Sequence, residues 1–248
     1  MTTGFPALTF AMRTYGREQL SVSLACLYCL SHPGRLLLAV DERTVLTPTQ
    51  GKIIVSLRKK GWQVISLAAP PGLGAALYVL LREAVALLDG APVLFLDDDI
   101  MFTEAHLRRL IAAASRMGAA TYLMSDLDPF YQRCQLKTAR RWPMHDPYCT
   151  LIDVELLASI PLSVWAPVQE MGAAGDLFYF HKVLELSGIA PNVLVDLDRP
   201  RHLFIPDRDR KPWGEIDIDV WFGWVRQVYP LPDLPQVLQA IAQLKEAA

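Results

Sequence analysis

Residues 94–100 read LFLDDDI, with three adjacent carboxylates, Asp97, Asp98 and Asp99, directly behind an apolar run. Like charges this close repel, so the arrangement needs a compensating cation or a set of donors. A divalent ion is the simplest remedy. In an extended segment Asp97 and Asp99 point the same way, and one or both can hold an ion whose shell is completed by phosphate oxygens. Such an ion neutralises a leaving diphosphate. Two structural roles compete: an exposed acidic turn, and an N-cap given by Asp98 or Asp99 to the following helix. Asp176, at the start of an amphipathic stretch (Leu177, Phe180, Leu184), is a second acid of interest, with an N-cap as its plain alternative. Two basic stretches can close on a diphosphate or form a solvated face. One holds Arg133, Lys137, Arg140 and Arg141; the other is Arg208, Arg210 and Lys211, which suits a loop that folds over a bound molecule and excludes water. Phe130, Tyr131, Trp142 and Tyr148 offer either an aromatic platform for a ligand or core.

The elements that must position these residues follow from periodicity. Residues 7–12 and 35–40 read as strands, with a helix striped by Leu20, Leu24, Leu27 and Leu30 between them. A second helix carries Ile53, Ile54 and Leu57, ends at Gly61, and is followed by a strand over 62–67. From Leu73 to Leu88 the apolar positions trace one helix face, which Gly90 and Pro92 close. VLFL, 93–96, has the continuous apolar character of a strand covered on both faces, so the acidic triplet sits at a strand's carboxyl end. Thr103 with Glu104 opens a helix striped by Leu107, Leu110, Ile111 and Ala114, and 120–124 is the next strand. Aromatics and prolines interrupt the pattern from Pro129 to Tyr148; a helix near 176–187, a strand over 192–197 and a terminal stripe of Leu234, Leu238, Ile241 and Leu244 follow. This succession predicts an open, mainly parallel sheet with helices on both faces, in which ligands collect at the strands' carboxyl ends. Without repeat or low-complexity linker, residues 1–248 read as a single domain.

Composition narrows the classes. Hydrophobic residues make up 52% of 248 and the net charge is −2, which argues against a disordered tail and against a sequence-independent grip on nucleic acid. Arg, Glu, Asp or Gly breaks every apolar stretch before the roughly 20 residues a bilayer span needs. The segment MTTGFPALTFAMR lacks a basic n-region and a small-residue cleavage site, so a cytoplasmic location is expected. Cys26 and Cys29 form a CxxC with no second pair to complete a zinc site, and the four cysteines read as reduced, half-buried thiols.

The order of these features resembles the nucleotide-sugar-dependent glycosyltransferases of the GT-A fold, especially the small enzymes similar to glycosyltransferase family 2. The matching segments are RTYGREQLSVSLACLYCL (13–30), which contains Thr14 and Arg17; LLLAVDERT, with Asp41 at the end of the second strand; PPGLGAAL (70–77), with Gly74; and LFLDDDI, which matches the DxD motif. The resemblance implies an α/β, GT-A type three-layer α/β/α sandwich with a mainly parallel central sheet. Residues 1–118 would form the nucleotide-sugar half, and 119–248 the acceptor half with a C-terminal helix. It implies donor contacts from Thr14, Arg17, Asp41, Gly74, Asp97 and Asp98, with Asp41 accepting from the base and Asp97 near the ribose or base. Asp99, with Asp97 and His202, would hold Mn2+ or Mg2+. Asp176 would deprotonate the acceptor hydroxyl, although the family's usual acidic pair is here Gly175-Asp176, with Glu170 six residues upstream. The implied partners are a nucleoside-diphosphate sugar, a UDP-sugar first, and a carbohydrate, lipid-linked or small-molecule acceptor. Trp213, Trp221, Phe222 and Trp224 either dock at a membrane surface or pack in a core.

Two other classes use strand-end acids. A nucleotidyltransferase shares the sheet and the metal, but carries a Gly-rich basic loop after its first strand, where this chain reads MRTYGRE. A non-catalytic nucleotide- or metal-binding module is the other; receiver domains of that kind are shorter and place their acid pair after the first strand.

Overall fold

The computed structural model describes residues 7–87, 89–123, 145–171, 175–194 and 200–202. Its core is a seven-stranded sheet in the order β3-β2-β1-β4-β7-β6-β8. The strands are β1 (Thr9–Thr14), β2 (Arg35–Asp41), β3 (Gln63–Ala69), β4 (Val93–Asp97), β6 (Ala119–Leu123), β7 (His145–Ile152) and β8 (Asn192–Leu194). β1 pairs in parallel with both β2 and β4, β2 with β3, and β6 with β8; β7 runs antiparallel to β4 and β6. A two-stranded ribbon joins β5 (Ile100–Met101) to β9 (Arg201–His202).

Alternation along the strands explains the layers, because successive side chains leave a strand on opposite faces. Phe10, Met12, Leu36, Leu38, Leu94 and Leu96 pack on one face with Leu20, Leu24, Leu27, Ile53, Leu57, Leu107 and Leu110. These come from α1 (Gln19–Cys29), α2 (Pro48–Lys59) and α4 (Glu104–Met117). Ala11, Leu37, Ala39, Phe95 and Ile152 turn to the other face, against Leu77, Leu80, Leu81, Trp165, Phe180 and Leu184. There lie α3 (Leu73–Leu87), the short α5 (Val154–Ala158) and α6 (Leu162–Trp165), a 3-10 turn (Ala166–Glu170) and α7 (Gly175–Leu186). Apolar residues at both parities make these strands near-continuous hydrophobic runs, as in sheets covered on both sides. The layered α/β architecture matches the sequence-based expectation, with two additions: β7 lies in the stretch whose periodicity is broken, and the β5–β9 ribbon is too short for any periodicity to show.

Thr103 caps α4 as expected, accepting from the His106 backbone N–H while the His106 ring accepts from the Thr103 N–H. Thr47 and Gln50 form the equivalent capping box on α2. Neither Asp98 nor Asp99 serves as the cap of α4. Among the described residues no helix is long and apolar enough to cross a membrane. Cys26 and Cys149 are buried, Cys29 is exposed, and all three are thiols.

Candidate active site

Strand β4 exhausts its apolar run at Asp97, and the parallel register of β1 and β4 sets Arg13 beside it. Both strands therefore deliver polar groups to the same edge of the sheet. Arg13 is 4% exposed. Its Nε donates to Asp97 Oδ1 at 2.7 Å and its Nη1 to the Leu73 carbonyl at the start of α3 at 3.1 Å. The same Nη1 makes a close ion pair with Asp176 Oδ2 at the start of α7. One guanidinium thus ties together β1, α3, β4 and α7.

The next two acids are held from the end of β1 and the loop that follows it. Thr14 Oγ1 donates to Asp98 Oδ2 at 2.6 Å, and the Gly16 N–H donates back to that hydroxyl at 2.9 Å. Arg17 pairs closely with Asp98 through Nη2 and reaches Asp99 Oδ2 through Nη1 at 3.1 Å. The Ser23 hydroxyl, on α1, shares its proton between the carbonyls of Asp98 and Ile100 at 2.9 and 2.8 Å, which fixes the turn. The compensation that the triplet demands is therefore supplied in large part by two arginines of the chain itself. Arg17 and Thr14 were sequence candidates; Arg13 was not.

Asp97, Asp98, Asp99 and Asp176 are all buried, and they face two guanidiniums. Burial pushes the Asp97 carboxyl above its ordinary range, against the attraction of Arg13 and with the repulsion of Asp99. Burial also opposes charge on Arg13 and Arg17, but the carboxylates around each win and raise both. The buried polar atoms without a hydrogen-bond partner among the described residues include Asp176 Oδ1 and the Tyr15 hydroxyl. Desolvation raises the Tyr15 phenol as well.

Asp41 closes β2 as expected and is buried, but it has its own counter-ion. Its Oδ1 accepts from the Arg43 N–H at 2.9 Å and from Nε at 3.0 Å, and its Oδ2 accepts from Nη2 at 2.8 Å. These bonds from Arg43 hold the carboxyl below its usual range. A base reaching Asp41 would share it with a guanidinium that is 68% exposed.

Gly74 has a packing account of its own. A Cβ there would lie 1.8 Å from the Val168 carbonyl oxygen and 2.7 Å from that of Met171, so α3 approaches the 3-10 turn at backbone distance. Because backbone cannot swing aside as a side chain does, Gly74→Ala is expected to lower stability by about 1–3 kcal/mol. Urea unfolding checks this; an unchanged midpoint would mean that the two segments part freely.

The backbone of His202 lies opposite Ile100 in the β5–β9 ribbon, one residue beyond Asp99. Arg208, Arg210 and Lys211 lie outside the described residues, as do Phe130, Tyr131, Trp142, the basic segment around Arg133, the tryptophans from Trp213 onward and the C-terminal stripe.

The residues suit a divalent cation in one respect and limit it in another. Carboxylate oxygens are the hard donors that Mn2+ and Mg2+ prefer, and Asp97, Asp98 and Asp99 bring several of them to one strand end. Among the described residues, however, no three His, Cys, Asp or Glu converge as a metal cage.

No protein-family model matches the chain, and no curated protein matches it. Solved structures do. The mannosyltransferase PcManGT from Pyrobaculum calidifontis, in complex with GDP-Man and Mn2+, aligns over 99% of this chain and 76% of its own, with TM-score 0.55 and 16% identity. The galactosyltransferase LgtC, in complex with donor and acceptor sugar analogs, aligns over 91% and 98%, with TM-score 0.52 and 12% identity. The chain has the GT-A fold. The 4-diphosphocytidyl-2C-methyl-D-erythritol synthase from Anaerococcus prevotii also aligns with this GT-A chain, over 89% and 96%, at TM-score 0.51 and 13% identity. A fragment of S. aureus TarS aligns at TM-score 0.49 and 16% identity, and this chain spans 58% of its length. At such identities the likeness speaks for the GT-A fold and not for the reaction.

Proposed function

We propose that this GT-A chain is a glycosyltransferase that moves a sugar from a nucleoside-diphosphate donor to an acceptor hydroxyl with inversion. One observation carries the reading: Arg13 draws Asp176, from the second half of the chain, to the acidic end of β4 in the first. An acid brought from the acceptor half to the donor end of the sheet is placed to take an acceptor proton. Residues 1–118 then form the donor half and 119–248 the acceptor half. Thr14, Arg17 and Asp97–Asp99 form the donor edge; Asp41 and the start of α3 border the base.

In transfer, the acceptor oxygen forms a bond to the anomeric carbon on the face opposite the diphosphate, and the bond from that carbon to the diphosphate oxygen breaks. Asp176 takes the acceptor proton through Oδ1, the oxygen that Arg13 leaves open. Arg17 stands within reach of the departing charge once it exchanges Asp99 for phosphate. Asp99, with Asp97 and His202, would hold Mn2+ or Mg2+, which supplies neutralisation of the leaving diphosphate. The Mn2+ in the complex of PcManGT with GDP-Man supports this choice of ion. The acceptor is a carbohydrate, a lipid-linked sugar or a small molecule.

The fold likeness to the Anaerococcus synthase, a nucleotidyltransferase, keeps a second reading open. That chemistry releases pyrophosphate from a nucleoside triphosphate. The loop after β1 contains only Gly16, and its Arg17 is turned onto Asp98 and Asp99, which favours transfer of sugar.

Calorimetric titration with UDP, GDP, CDP and dTDP, each with and without Mn2+, tests the proposal. One diphosphate is expected to bind at least about tenfold tighter with the ion, as for a shared shell, and Mn2+ alone to bind weakly. Pyrophosphate release from CTP, with no diphosphate bound, would move the assignment to the second reading.

A further inference from the structure

Arg13 is the buried group that the resemblance does not assign. Its strand lies between β2 and β4 and is hydrogen-bonded to both, so its main chain is fixed. The guanidinium serves Asp97 through Nε and, through Nη1, both Asp176 and the Leu73 carbonyl. It engages Oδ2 of Asp176 and leaves Oδ1 buried without a partner among the described residues, although Asp176 is 0% exposed. Leaving a buried carboxylate oxygen unmatched is costly, and such exceptions ask for a reason.

We infer that Arg13 is a positioning residue: its fork orients Asp176 so that Oδ1 faces the acceptor hydroxyl, and ties that acid to the donor acid Asp97. The inference rests on the reading of Asp176 as the proton acceptor. Planarity is what the role requires. A lysine brings the same charge on one nitrogen, without the fixed fork that here serves two carboxylates and a carbonyl at once.

Two measurements on the full chain test this. The first needs no ligand. Urea unfolding is compared for wild type, Arg13→Gln, Asp176→Asn and the double variant. If Arg13 compensates Asp176, the double variant is more stable than Arg13→Gln, and it folds even where the single variant does not. A double variant no more stable than Arg13→Gln overturns the inference. The second uses Arg13→Lys, with UDP-glucose and GDP-mannose as probes. The variant is expected to bind UDP or GDP with Mn2+ within about threefold of wild type, while kcat falls at least about 30-fold; such a split marks an interaction realised in the reacting complex. A kcat within threefold of wild type overturns the positioning role, and so does a loss of binding in proportion to kcat. If wild type turns over neither probe and binds neither diphosphate, the proposed function fails on its own, and the unfolding cycle still decides whether Arg13 and Asp176 are coupled.

Discussion

Asp176→Asn should leave nucleotide binding within a few fold of wild type and reduce sugar transfer by about 100- to 10,000-fold, the span that a positioned general base contributes. Asn is the informative replacement because it keeps the shape and still accepts from Arg13 through its amide oxygen. Ala would strip the buried guanidinium of one of its two carboxylates and confound chemistry with folding. The measurement is a transfer assay at saturating donor, beside calorimetry with the matching diphosphate and Mn2+. Retained transfer would remove Asp176 as base. Lost binding would instead make it part of the donor site.

Neighbouring residues in the triplet are expected to fail in different ways. Asp98 is wholly buried, accepts from Thr14 at 2.6 Å and pairs with Arg17, so Asp98→Ala leaves a partly buried cation short of its principal partner. Breaking such a pair from one side costs about 3–5 kcal/mol, and a drop of that size in urea unfolding is expected. Asp99→Ala spares the contact between Arg17 and Asp98. Its expected defect is in Mn2+-linked diphosphate affinity, by about 10- to 100-fold, as for a charge-assisted contact of roughly 1.5–3 kcal/mol. If Asp98→Ala unfolds like wild type, the brace assigned to it is wrong. If Asp99→Ala binds the diphosphate with Mn2+ like wild type, the ion is held elsewhere.

What could be read from the sequence was local. The stripe on α3, the Thr103 cap and the acidic end of β4 follow from residues within one or two turns of each other, and all three stand where the pattern puts them. Arg13 escaped because it stands alone as a charge near the end of β1, and its partners lie 84 and 163 residues away. No window of sequence contains both ends of such a bridge. The one available signal was a cation at a strand's carboxyl end in a chain with an acidic triplet at another. β7 was missed for a different reason. It pairs between β4 and β6 in the opposite sense, and its stretch carries Pro147 and follows an aromatic, proline-bearing segment that erases a two-residue period. Gly74 carries a requirement that no local pattern shows: the carbonyls of Val168 and Met171, nearly a hundred residues on, demand a glycine there for packing alone.

The bridge made by Arg13 also has a consequence for biosynthesis. Asp97 leaves the ribosome roughly 80 residues ahead of Asp176, which at 5–20 residues per second is an interval of about 4–16 s. In that time the nascent first half carries a central strand whose arginine has one acid instead of two, and lacks the apolar cover that α7 gives through Phe180 and Leu184. The face of the sheet that α7 will seal is the surface a chaperone would find on the growing chain.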